Sequence, residues 1–250
     1  MKDSPGRYAW LVVALLVPVA LLNYLDRQML AGMKFSLMAD LPDIGSEANW
    51  GKILALFKWT YAFLSPVGGY LADRFSRRHV IAGSLLVWSA VTWATGHAAN
   101  FEQLLITRAV MGISEAFYMP AALALIADYH AGGTRSRAVG MHQMGIYAGV
   151  IIGGFSGYAA DHPNLGWRWM FEACGMAGVL YAVPLFLLVR NAPRAETGRA
   201  SGAGSPGELL RNRSFVLLVL YFTLPAMAGW IVRDWMPAIL KTEFGIGQGQ

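Results

Sequence analysis

Gly68-Gly69-Tyr70-Leu71-Ala72-Asp73-Arg74-Phe75-Ser76-Arg77-Arg78 places four ionisable side chains within six positions, Asp73 to Arg78. On either side the chain is almost free of charge. Residues 51–72 carry only Lys52 and Lys58, and residues 79–98 carry no Asp, Glu, Lys or Arg. A short basic turn between two apolar blocks of about 20 residues is the pattern of a chain that crosses a ~30 Å hydrocarbon layer and returns. Working outward, the same test predicts spans near 8–31, 51–72, 79–98, 104–127, 138–160, 167–190 and 214–240. The first is too long for a secretory signal, and Asn23, Asp26 and Arg27 near its end make no small-residue cleavage site, so it reads as a retained helix.

Composition agrees. The 250 residues are 56% hydrophobic and 14% charged, against about 25% charged in soluble domains, with a mean hydropathy of +0.42. A soluble enzyme, a disulfide scaffold and a disordered chain are excluded; the single Cys174 allows no intrachain disulfide. The net charge of +5 reflects topology rather than a nucleic-acid partner. With the amino terminus in the cytoplasm, Lys2, Arg7, Arg74, Arg77, Arg78, Arg135, Arg137, Arg190, Arg194, Arg199, Arg211 and Arg213 all fall on the cytoplasmic side. Only Lys34, Lys52, Arg168 and Lys241 fall opposite, a 12:4 bias that sets the orientation by the positive-inside rule. Trp10, Trp50, Tyr129, Trp167 and Trp169 sit at predicted span ends, where amphipathic rings favour the interface.

Ionisable groups inside spans are costly and need a reason. Asp26, Arg27, Lys58, Arg108 and Glu115 all fall in the middle or outer part of their spans. Arg108 and Glu115 are two helical turns apart and share a face. If that face meets Asp26, two cations and two carboxylates surround one polar cavity. Two readings stand: structural ion pairs that lock helices together, or an anion site beside a protonatable carboxylate, in which Asp26 or Glu115 takes up a proton and frees Arg27, Arg108 or Lys58 for a ligand. Snorkelling to the interface competes for Arg27. Lys58 has no acidic neighbour at i±3 or i±4. Tyr24 and Tyr118 flank the cluster and are candidate ligand contacts, with helix packing the alternative. Arg233-Asp234 reads as a local interfacial pair, with a cavity-lining role as the alternative.

The opening stretch resembles the signature loop of the major facilitator superfamily, Gly-x-Leu-Ala-Asp-Arg-x-Gly-Arg-Arg, between its second and third helices. Gly69, Leu71, Ala72, Asp73, Arg74, Arg77 and Arg78 match, and Ser76 stands where Gly is usual. The resemblance implies a cytoplasmic gate of Asp73, Arg74, Arg77 and Arg78; physically, an Arg there can bridge to Asp128, and a pure topology signal is the alternative for the three arginines. Asn23-Tyr24-Leu25-Asp26-Arg27 and Thr107-Arg108-Ala109-Val110-Met111-Gly112-Ile113-Ser114-Glu115-Ala116 resemble two segments of the organic anion:cation symporter branch, and the spinster-like lipid transporters share both. That resemblance implies proton coupling at Asp26 and Glu115, and substrate binding or gating at Arg27 and Arg108. Lys58 belongs to neither pattern.

The expected fold is an all-α membrane protein. Residues 1–190 form a six-helix bundle of two inverted three-helix repeats, 191–213 a cytoplasmic linker with a short surface helix capped by Ser205-Pro206-Gly207-Glu208, and 214–250 the first helix of a second half. The chain is expected to be a fragment of a 12-helix protein whose missing carboxy-terminal half is its partner. Gly145, Gly149, Gly153 and Gly157 at i+4 spacing predict close helix packing. The stretch lacks the Gly-Pro pair of antiporters, which favours symport. The methionines and scattered histidines show no metal spacing, and no enzyme motif or cofactor site is apparent. The expected function is proton-coupled symport of a small organic anion, such as a sugar acid or carboxylate, across a bacterial-type inner membrane. Protons are favoured over sodium because no span is interrupted by a cation-binding loop. A lysolipid or amphiphile transporter is the alternative, and a non-transporting receptor or regulator is the alternative of another class.

Overall fold

The computed structural model describes residues 6–192 and 206–247, all helix and loop. The long helices are α1 (Arg7–Gly32), α3 (Glu47–Arg74), α4 (Arg77–Gly96), α5 (Phe101–Glu115) with α6 (Tyr118–Tyr129), α7 (Arg135–Gly154), α9 (Gly166–Leu188) and α11 (Arg213–Phe244). Three short helices join them: α2 (Lys34–Asp40), α8 (Ser156–Asp161) and α10 (Pro206–Arg211). Five segments are both long and apolar enough to cross a membrane: α1, α5–α6, Gly132–Asp161, α9 and α11. The expectation of seven uniformly apolar spans needs amending for α3 and α4. They have 28 and 20 residues, enough to cross at 1.5 Å per residue, but Lys58 in α3 and the His, Ser, Thr and Trp side chains of α4 lower their hydropathy.

Two further differences concern continuity. The fourth predicted span is broken at Ala116 and Phe117, between α5 and α6. Pro120 has no N–H to give the carbonyl four residues back, at Ala116, and its ring crowds that turn. The fifth breaks at Phe155, between α7 and α8. Side-chain caps start three helices: Ser46 accepts from the Asn49 N–H, Asn100 from Gln103, and Asn212 from Ser214 and Phe215. The short helix expected before the seventh span is α10; Ser205 of its expected cap lies outside the described residues.

The helices pair as inverted repeats require. The most extensive contacts are α1 with α7 and α4 with α9, followed by α3 with α5. Exchanging the first three spans for the next three turns the α1–α7 pair into the α3–α5/α6 pair and maps α4–α9 onto itself. Glycine makes the first pairing close. A Cβ on Gly145, Gly149 or Gly153 would lie 2.6, 2.2 or 2.7 Å from the carbonyl oxygens of Val17, Leu21 and Leu25 in turn. The small-residue stripe is thus a backbone-to-backbone seam.

Two apolar clusters fill the bundle. One gathers Val12 to Ala20 of α1 with Trp88, Tyr118 and Leu125. The other gathers Met29 and Leu37 with Trp50, Ile53, Trp167 and Phe171. Between them, at the level of Asn23 to Arg27 on α1, lies a polar layer.

Candidate functional site

The polar layer is built across three elements. Glu115 ends α5 at the helix break and is fully buried; its Oε2 accepts from Arg27 Nε of α1 at 2.7 Å. Asp26, next to Arg27 but on another face, accepts from the Thr92 hydroxyl of α4. Arg108, also buried, donates to the Thr95 hydroxyl at 3.2 Å, about one turn of α4 beyond Thr92, the partner of Asp26. Two carboxylates and two guanidinium groups thus meet in one buried layer. Removing one member of such a set leaves the others uncompensated, at a cost of about 3–5 kcal/mol.

Arg27 stands at the boundary of a partly open cavity. Its guanidinium carbon lies 4.8 Å from the ring centre of Tyr24, 5.0 Å from Phe57 and 4.5 Å from Tyr61. This aromatic collar holds the cation while its Nε faces Glu115. Lys58, Arg108, Trp230, Arg233 and Asp234 add to the polar wall, and Leu30, Leu54 and Val150 make apolar wall. The wall carries four cationic side chains against a single carboxylate. Asp26 and Glu115 lie behind it, outside the lining.

Placement differs from expectation for three groups. Lys58 is paired, but with Asp234 of α11, 176 residues away. Asp234 therefore serves the cavity rather than a local pair with Arg233, and the cavity-lining alternative holds. Tyr118 does not line the cavity: it is buried against Trp88, with its hydroxyl at 3.2 Å from the Leu16 carbonyl and 2.8 Å from His142 Nε2. Thr92, Thr95, Phe57, Tyr61 and Trp230 were not anticipated. Phe57 and Tyr61 flank Lys58 at helical spacing, a signal available in the sequence.

At the end of the bundle holding the α3–α4 turn, Arg77 of α4 pairs with Asp128 of α6 and donates to the Ala124 carbonyl at 3.1 Å. Asp73 lies 3.6 Å from Arg77. Arg78 donates its backbone N–H to Asn191 Oδ1 at 3.0 Å, and its guanidinium covers Phe186. Arg74 donates to the Tyr70 hydroxyl at 3.0 Å.

Residues 16–250 match the sequence profile of the Major Facilitator Superfamily. The chain belongs to that superfamily. Human protein spinster homolog 1 is 35% identical over 262 aligned residues, covering 98% of this chain and 48% of the relative. The chain spans about half the length of the curated relatives it matches. A bacterial homologue of the human lysosomal transporter spinster, solved inward-facing and unoccupied, superposes with a TM-score of 0.82 at 25% identity, over 98% of this chain and 58% of that one. The inward-facing occupied form gives 0.76 at 27% identity, over 98% and 57%. These matches establish an integral membrane Major Facilitator fold covering about half of a full-length relative. They favour the spinster-like resemblance over the organic anion:cation branch.

Proposed function

We propose that this chain is the amino-terminal, cavity-bearing part of a secondary active transporter that moves an anionic amphiphile by alternating access, coupled to protons. The wall of the cavity carries the proposal. Arg27, Lys58, Arg108 and Arg233 face it with only Asp234 in return, beside Leu30, Leu54, Phe57 and Val150. Such a wall suits a phosphate or carboxylate headgroup joined to a hydrocarbon chain. A small sugar acid would leave the apolar part unmatched. Spinster-like relatives support the same choice.

In this reading Asp26 and Glu115 are the coupling carboxylates. A ligand anion drawing Arg27 out of its collar leaves Glu115 without its partner, and a proton on Glu115 restores neutrality. Binding and protonation therefore favour each other. Tyr24 and Arg108 contact the headgroup, and Arg77 with Asp128 and Asp73 closes one end as the halves rock. In this reading the amino terminus is cytoplasmic, supported by the 12:4 distribution of basic residues under the positive-inside rule, and the setting is a bacterial-type inner membrane.

The test is uptake by the full-length protein in liposomes. A lysophospholipid and a sugar acid are offered with and without an imposed pH gradient. Gradient-stimulated entry of the lysophospholipid supports the proposal. Entry of the sugar acid alone restores the small-anion reading, and no entry of either supports a regulator.

A further inference from the structure

Asn23 lies on α1 three residues before Asp26 and four before Arg27, on the face between them. It is completely buried. Among the described residues, neither its Oδ1 nor its Nδ2 has a hydrogen-bond partner, and Asp26 Oδ1, Glu115 Oε1 and Arg108 Nε share that condition. Asp26 commits its other oxygen to Thr92, and Glu115 commits its other oxygen to Arg27. Each carboxylate therefore keeps one oxygen free in the layer that holds an amide able both to donate and to accept. Interior polar groups in this condition are satisfied by bound water, which takes about three hydrogen bonds from its surroundings.

We propose that Asn23 is a positioning residue for proton movement, holding a water or short water chain that joins the free oxygen of Asp26 to that of Glu115. This rests on the proton-coupled reading above. Asp26 does not line the cavity described above, whereas Glu115 stands directly behind the cavity-lining Arg27. A proton leaving the Glu115 carboxyl passes to the bridging water as that water's own proton passes to Asp26. No water is consumed and one positive charge moves from Glu115 to Asp26. The groups facing Asp26 are Arg108 of α5, Thr92 of α4, Cys174 of α9 and Arg27 on its own helix. Those facing Glu115 are Arg27, Asp26 and Tyr24 of α1 and Arg108 on its own helix. The guanidinium groups hold their protons throughout, so only the two carboxylates exchange.

The test is infrared spectroscopy of the full-length protein in nanodiscs, at a pH where both carboxyls are protonated. Carboxyl bands are assigned with Asp26→Asn and Glu115→Gln, and hydrogen–deuterium exchange of the Asp26 band is timed after transfer to heavy water. Asn23→Leu is expected to slow that exchange by about tenfold or more and to leave the Glu115 band's exchange unchanged. Asn23→Ser, which keeps a hydroxyl and room for water, retains the fast rate. Unchanged exchange in Asn23→Leu, or slowing equal in Asn23→Ser, overturns the proposal. Should Asn23→Leu fail to fold, a high-resolution map of the wild type decides: water density on the Asn23 amide supports the relay, and an amide that is dry or bonded directly to protein overturns it. Wild-type uptake indifferent to a pH gradient would instead sink the coupling reading, and the exchange rates would still report on the relay.

Discussion

Arg27 joins every part of the candidate site: it is collared by Tyr24, Phe57 and Tyr61, bonded to Glu115 and exposed to the cavity. Replacing it alone strands a buried carboxylate. Arg27→Met is therefore expected to destabilise the full-length protein by about 3–5 kcal/mol, while Arg27→Met with Glu115→Gln recovers most of that loss. Thermal unfolding in detergent measures both; equal loss in the two would show that the pair contributes no more than packing. Asp26, Arg27, Arg108 and Glu115 were legible in the sequence because the bilayer makes each charge conspicuous. Thr92 and Thr95 were not, since a hydroxyl inside a span satisfies itself on its own helix, as Thr92 does on the Trp88 carbonyl and Thr95 on that of Val91. Asp234 was misassigned because its partner Lys58 is distant in the chain and near only in the fold.

Among the elements, the α1–α7 seam and the α5–α6 break position the site. Gly149→Ala would set a Cβ 2.2 Å from the Leu21 carbonyl, so the helices must separate, and a clear fall in melting temperature is expected. Gly140→Ala on the same helix meets nothing within 4 Å. It should be neutral or stabilise by up to about 1 kcal/mol, the helix preference of Ala over Gly. Similar losses in both would refute the seam. Gly68 faces the break: a Cβ there would lie 2.5 Å from the Ala116 carbonyl oxygen. Gly68→Ala should accordingly shift α5 and α6 and disturb Glu115, seen as a lower melting temperature that Gly69→Ala, facing open space, does not share. The spans were legible from charge-poor blocks. The break was not, because Pro18, Pro66 and Pro184 lie inside helices that continue through them, so a proline alone does not announce an interruption. The short α2 was missed for a related reason: seven residues are too few for periodicity to show.

For the molecule as a whole, the decisive relation is between α11 and the bundle. Near one end α11 is engaged: Asp234 pairs with Lys58, Trp235 lies 4.9 Å from Lys34 Nζ, and Lys241 Nζ lies 4.2 Å from the Phe35 ring centre. Toward its start, Leu217 to Met227 stand exposed. In the proposed transport cycle the engaged end, which lines the cavity through Trp230, Arg233 and Asp234, closes it on the side opposite the Arg77–Asp128 pair. Asp234→Asn should loosen that closure. A cysteine placed at Tyr24 in the full-length protein should then react several-fold faster with a membrane-impermeant maleimide applied from that side; an unchanged rate would mean that the pair does not hold the cavity shut. The most direct test of the whole account is lysophospholipid uptake by the full-length protein in liposomes, followed across an imposed pH gradient. The account predicts uptake that rises with the gradient, loses that dependence in Glu115→Gln and Asp26→Asn, and is not competed by a sugar acid. Uptake indifferent to the gradient in the wild type, or a sugar acid carried in the lysophospholipid's place, would contradict it.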